Sequence, residues 1–193
     1  MSPIRRPLAI TITIEQTPLR YELDDAFRRL PLLSLYRINI AALRRRLHHS
    51  IRVGTDIANL HTTNCHAFAF GIGGQLEYHA LVEMNKFALT PIVDAAFATA
   101  LIAEQRLREI ADDNTIAVGN IAIYFAQGQV VHSGVVISPE RRIRSKWGTG
   151  VLHDHALGEV PASYGDEVRF FAAPDPTTIY PLLWTSDKRL NSL

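Results

Sequence analysis

The main constraint on the fold is a series of strand patterns between residues 116 and 147 that only very short turns separate. Apolar segments at Ile121–Phe125, Val130–Ile137 and Arg142–Trp147 are joined through a glycine turn at Gly128 and a proline turn at Pro139. A parallel connection needs a crossover of a dozen or more residues, whereas an antiparallel hairpin needs only a few. The sequence therefore predicts an antiparallel meander in which the middle segment is a central strand.

Helical patterns and two further strands surround this meander, so the predicted fold class is α+β. Strand patterns occupy Leu8–Ile14 and Glu167–Ala172, and helical patterns occupy Asp24–Leu30, Leu35–His49 and a long segment from Thr90 to Asp112. Within the second helical segment, apolar residues recur at steps of three and four, which places them on one face. We expect N-terminal helices packed on the central sheet.

Length and composition indicate a single compact domain. With 193 residues, 47% of them hydrophobic, the chain can bury a full core. We expect residues 1–60 to form a strand and helix extension that packs on a core of residues 61–193. The net charge of +1 does not suggest a nucleic-acid partner. The first third is rich in arginine, but no aromatic side chains interleave with these arginines as base stacking would require, so a solvated helix face explains them better.

The sequence contains no apolar run that approaches a membrane span and no signal-peptide pattern. Its one cysteine cannot form an internal disulfide, so stability does not depend on an oxidising compartment. We expect synthesis in the cytoplasm and no membrane partner. Export by a specialised secretion system would leave no trace in the sequence.

The cysteine, Cys65, lies between a polar approach and a short apolar run that ends at Gly71. This pattern predicts a short helix with Thr63 or Asn64 as its N-cap and the thiol in the first turn. First-turn amides and a nearby imidazolium would lower the thiol pKa from its usual value of about 8.5. The amide of Cys65 itself would form half of an oxyanion hole.

A histidine, His132, lies on the predicted central strand among valines. A polar ring in such an apolar strand needs a partner. Taken alone, a single thiol is more often an inert core residue, and a single strand histidine is more often structural. Together they predict a nucleophile and its general base.

Two motifs carry a resemblance to a known superfamily. Gly119–Phe125 and His132–Val136 resemble the histidine strand pair of papain-like hydrolases of the NlpC/P60 and CHAP kind. The combination of Asn64-Cys65, His132 and Ser145–Gly148, followed by His153 or His155 and by Tyr164-Gly165, is similar to an uncharacterised bacterial branch of that superfamily. The resemblance extends from about Asn64 to Phe171 and implies a papain-like fold, no cofactor and an acyl-enzyme mechanism.

The resemblance implies a role for each candidate residue. Cys65 is the expected nucleophile, His132 the base and Ser145 the residue that orients the imidazole, with a backbone carbonyl as the alternative orienter. The expected oxyanion or substrate-binding residues are Asn64, His66, Trp147 and His153. Members of the NlpC/P60 family usually carry Asp before the cysteine and Ser after it, so Asn64 and His66 depart from the pattern.

Two of these residues also have other interpretations. On a strand, His153 and His155 would share one face and could contribute zinc ligands, but the sequence indicates no further ligands, so a loop lining the cleft is favoured over a metal site. Trp147 fits a substrate wall and core packing equally well.

The expected function is hydrolysis of an amide bond in a peptide, a peptidoglycan stem peptide or a glutamine side chain. The protein would then be a bacterial effector or toxin, for which a cognate immunity or inhibitor protein is an expected partner. One alternative is acyl transfer or protein deamidation by the same residues. Another is a catalytically inactive binding module that uses its basic N-terminal third as the partner surface.

Overall fold

The computed structural model describes residues 10–28, 33–54, 63–75, 78, 93–147, 150–179 and 181–183, and within them seven strands form one antiparallel sheet. In spatial order the strands are β1 (Thr11–Thr13), β7 (Glu167–Phe171), β3 (Ile121–Ala126), β4 (Gln129–Val136), β5 (Ile143–Lys146), β6 (Leu152–His155) and β2 (Arg52–Val53). The predicted meander and the α+β class are confirmed. The middle strand, β4, carries His132 as predicted.

The helices α1 (Pro18–Arg28), α2 (Leu33–Arg46), α3 (Cys65–Ala69) and α4 (Ala95–Ala103) accompany the sheet. Short 3-10 turns span Asp113–Thr115 and Ala162–Tyr164. Helix α1 begins earlier than the predicted Asp24, because a proline is well accepted at the first helical position. None of the described helices combines the length and apolarity needed to cross a membrane.

Helix α4 is shorter than the sequence pattern indicates. Its N-cap is Asp94, whose carboxylate accepts a hydrogen bond from the amide of Phe97 at 2.8 Å. The helix ends at Ala103, and Gln105 adopts a left-handed φ of 57° that no helix can continue through. The prediction that this helix reaches Asp112 is therefore wrong, and its predicted start at Thr90 lies outside the described residues.

The two faces of the sheet contact different helices and form two separate cores. On β3, Ile121, Ile123 and Phe125 belong to the core that includes residues of α3 and α4. Ala122 and Tyr124, the alternate residues, belong to the core that includes residues of α1 and α2. Because successive side chains of a strand point to opposite faces, β3 is covered on both sides.

The first sixty residues supply both edges of the sheet. Strand β1 pairs with β7 at one edge, and β2 pairs with β6 at the other. Helix α1 is held to the rest of the molecule by the fully buried Arg20, whose guanidinium donates hydrogen bonds to the carbonyls of Val160, Pro161 and Gly165. The N-terminal part of the chain therefore completes the sheet in addition to packing on it.

Candidate functional site around Cys65

Helix α3 begins with a side-chain cap that fixes its orientation. The Asn64 side-chain oxygen accepts a hydrogen bond from the amide of Ala67 at 2.9 Å, and the side-chain nitrogen donates to the carbonyl of Val93. Gly71, with a φ of 70°, follows the end of the helix. The predictions that Asn64 or Thr63 caps this helix and that Cys65 lies in its first turn are confirmed, with Asn64 as the cap.

The sulfur of Cys65 lies among polar groups, although the residue is only 8% exposed. Burial is the largest influence on its pKa and raises it to about 11. The backbone amides of Ser133, His66 and Cys65 itself, together with the Lys146 ammonium, act in the opposite direction. The thiol is therefore protonated at neutral pH, in an environment that would stabilise a negative charge.

The sulfur reaches the backbone of β4 where the pairing of β4 with β5 ends. In the antiparallel pairing of β4 with β5, Val135 lies opposite Arg144 and Val136 lies opposite Ile143. Helix α3 contacts both strands. Its first residue, Cys65, faces the backbone amide of Ser133, which precedes the paired residues of β4. The sulfur thus lies beside the peptide bond that follows His132.

The imidazole of His132 is fully buried between aromatic rings. Its ring stacks on Tyr164 with 4.0 Å between centroids and lies 5.4 Å from the ring of Tyr124. Burial, followed by the charges of neighbouring histidines, holds its pKa well below the usual value, so the ring is neutral at pH 7. Within the described ranges neither ring nitrogen has a hydrogen-bond partner. The ring points to the face of the sheet that holds Tyr124 and Tyr164, whereas α3 and Cys65 pack on the other face, so the structure does not bring the predicted pair together.

The next residue, Ser133, points to the opposite face and contacts α3. Its hydroxyl lies 3.0 Å from Nδ1 of His66. Burial lowers the pKa of His66 to about 4, against a weaker opposing influence of Asp94. His66 is 4% exposed, so it serves as a buried contact between α3 and β4 and does not line an open cleft, contrary to its expected role in substrate binding.

The expected role of Ser145 needs correction. Its hydroxyl lies 2.9 Å from Nε2 of His155 and accepts a hydrogen bond from the indole of Trp147 at 3.0 Å. It makes no hydrogen bond to His132. The reason is the strand register, which pairs Ser145 with His153 on β6 and so turns its hydroxyl toward the histidines of that strand.

Trp147 and His153 are core residues, and the expectation that they line a cleft is wrong. Their rings stack with 4.0 Å between centroids, and the ring of Phe27 on α1 packs edge-on against the indole. Nδ1 of His153 lies 3.0 Å from the carbonyl of Val151. Burial lowers the pKa of His153 to about 3.

The predicted common face of His153 and His155 is confirmed, since both are buried on β6. Asp154 between them points the other way and pairs with Arg144 at 2.7 Å. In the part of the chain that the structure describes, no three His, Cys, Asp or Glu side chains are arranged to hold a metal ion.

Lys146 is the residue of this site that the sequence analysis missed. Its side chain is buried, and Nζ donates hydrogen bonds to the carbonyl and the hydroxyl of Thr63, each at 2.6 Å. One feature of the sequence could have indicated this residue. Lys146 ends a predicted apolar strand next to Trp147, and a lysine is rarely buried at such a position.

A groove of about 460 Å³ lies away from the thiol. It is bordered by the start of α1, the end of α2 and the loop after β6, and its polar residues include Glu15, His48 and Glu159. Neither Cys65 nor His132 lines it.

No family model, no curated protein and no solved structure matches this chain.

Proposed function

We propose that the protein is a papain-like cysteine hydrolase that acts on an amide bond, with Cys65 as nucleophile. One observation carries the proposal: the thiol begins a capped helix, and the backbone amide of Ser133 and the ammonium of Lys146 act on its sulfur. The base that the sequence predicts, His132, points to the other face of the sheet, against Tyr124 and Tyr164, so the proposal does not assign the general base to it.

The surroundings of the sulfur support the same proposal. An inert core cysteine is a small apolar residue that needs no polar neighbours. Here three backbone amides and the ammonium of Lys146 act on the sulfur of Cys65. Donors of this kind stabilise both a thiolate and the oxyanion that forms when a thiolate attacks a carbonyl.

The proposed reaction begins from the neutral thiol. As the sulfur of Cys65 bonds to the carbonyl carbon, its proton passes to a base on the face of the sheet that α3 covers, and that base then gives the proton to the departing nitrogen. Water cleaves the resulting thioester.

The substrate class that we propose is a peptide, a peptidoglycan stem peptide or a glutamine side chain, and the setting is a bacterial effector or toxin with an immunity protein. Acyl transfer and deamidation use the same thioester. Mass analysis of the product distinguishes them, because hydrolysis cleaves a peptide, deamidation converts glutamine to glutamate, and transfer joins the acyl group to an amine.

A second candidate is an inactive binding module on the same scaffold. It is favoured by the pKa of about 11 for the Cys65 thiol and by the 8% exposure of that residue. The core positions of Trp147 and His153 also favour it.

The test is intact-mass analysis after exposure to a glutamine-containing peptide that carries a vinyl sulfone. We expect one adduct on the natural protein and none on Cys65→Ala. His132→Phe and His153→Phe are the matched controls, because each removes a buried, stacked histidine from the other face of the sheet and should react at the natural rate. Absence of an adduct on the folded natural protein would overturn the proposal and favour the binding module.

A further inference from the structure

We infer that Lys146 is a positioning residue of the Cys65 site: its ammonium anchors the turn that carries the thiol and supplies a positive charge facing the sulfur. This inference rests on the proposed function and adds to it a residue to which the resemblance assigns no role. It is carried by the contacts between the end of β5 and the residues that lead into α3.

The anchor consists of two short hydrogen bonds to one residue. Nζ of Lys146 donates to both the carbonyl and the hydroxyl of Thr63 at 2.6 Å, and both side chains are buried. Thr63 lies two residues before Cys65 and directly before the cap Asn64. Lys146 therefore fixes the backbone from which the helix, and with it the sulfur, begins.

Thr63 is also confined from its other side. A Cβ atom at Gly73 would lie only 2.6 Å from Cγ2 of Thr63, so the threonine packs directly against the glycine backbone. Thr63 is thus held between the ammonium of Lys146 and the turn after α3. A displacement of this residue would have to break the lysine contacts or move that turn.

The charge has a separate effect from the anchor. The ammonium acts on the sulfur of Cys65 against the effect of burial. A positive charge near a buried sulfur favours the thiolate over the thiol, and it likewise favours the oxyanion of the first intermediate. A neutral side chain of similar size would keep the packing and lose this preference.

The test compares the rate at which iodoacetamide alkylates Cys65 between pH 7 and pH 10. Lys146→Gln retains an N–H donor for Thr63 but removes the charge, and we expect its alkylation rate at each pH to fall about tenfold, as for a rise of one unit in the thiol pKa. Lys146→Arg keeps the charge and should recover most of the natural rate. Thr63→Val removes one acceptor, so we expect a lower unfolding midpoint with less change in the pH profile.

An unchanged pH profile in Lys146→Gln, with near-UV circular dichroism like that of the natural protein, would overturn the inference about charge. If Lys146→Gln fails to fold, the alkylation profile of Lys146→Arg is decisive. This variant keeps the positive charge, so a profile that differs from the natural one would overturn the inference. The test of the proposed function is independent of this one. Failure of the vinyl sulfone peptide to label the natural protein would remove the hydrolase proposal and leave the effect of Lys146 on the thiol to be read from alkylation alone.

Discussion

The ring of His132 lies nearly parallel to the ring of Tyr164, with 17° between their planes and 4.0 Å between their centroids. The tyrosine ring gives the imidazole a stacking surface, but neither ring nitrogen is hydrogen-bonded in the described residues. A buried polar group without a partner costs about 1–3 kcal/mol. The position is thus better suited to a phenyl ring than to an imidazole, as far as folding is concerned.

We expect His132→Phe to stabilise the fold by about 1–2 kcal/mol, because the variant keeps the stacking on Tyr164 and removes unpaired nitrogens. Urea denaturation of the natural protein and the variant measures the difference. A loss of stability would instead show that the nitrogens have a bound partner, such as an internal water.

Acid should destabilise the protein well before its carboxylates are protonated. Burial lowers the pKa of His153 to about 3 and those of His66 and His155 to about 4, and it holds the pKa of His132 well below its usual value. Below pH 6.5 the unfolded chain binds protons that the folded chain does not. Stability is therefore greatest above that pH and falls by about 1.4 kcal/mol per pH unit for each such histidine toward pH 4.

The measurement is the free energy of unfolding in urea at pH 7.5, 6 and 5. His153→Phe is the informative variant, because it should reduce the slope between pH 6 and pH 5 by the contribution of one proton. A slope that is the same in this variant would mean that His153 is protonated in the folded protein.

The cap of α3 can be divided into its two hydrogen bonds. Asn64→Ala removes both and should cost about 1–2 kcal/mol. Asn64→Asp keeps the oxygen that accepts from Ala67 but removes the donor to Val93, so we expect a smaller loss. Thermal unfolding monitored by circular dichroism compares the two, and equal losses would assign the whole effect to the contact with Val93.

Gly165 and Gly128 form a matched pair for testing a close backbone approach. Both have a left-handed φ, 87° and 77° respectively, but a Cβ at Gly165 would collide with the carbonyl of Phe125, whereas a Cβ at Gly128 would meet nothing within 4 Å. The approach at Gly165 exists because the amide of Asp166 donates to that same carbonyl at 3.1 Å. We expect a loss of about 1 kcal/mol for Gly128→Ala and about 3 kcal/mol for Gly165→Ala in urea denaturation. Similar losses would mean that φ alone decides the cost.

The meander and the helix start at Cys65 could be predicted because they depend on local signals. Alternation and short turns define β3, β4 and β5, and an asparagine followed by an apolar run defines α3. Strand β6 was missed because three of its four residues are polar, and their burial depends on contacts with Trp147 that no local pattern reveals.

The partners of the site residues could not be predicted from spacing. Ser145 and Lys146 are adjacent on β5, yet one faces His155 and the other faces Thr63, because strand alternation sends them to different faces of the sheet. Which of the two lies on the face of the thiol depends on where α3 packs. That placement is a tertiary contact between α3 and the strands β4 and β5.

Both outermost strands of the sheet come from the same N-terminal region. A truncated protein that starts near Thr63 would leave Val168 paired only with β3 and His153 paired only with β5, so each would have one bare side at opposite edges of the sheet. Such bare backbone invites pairing with other chains and leads to aggregation. Expression of the segment from Thr63 onward as a minimal enzyme should therefore yield insoluble material, whatever activity the thiol has.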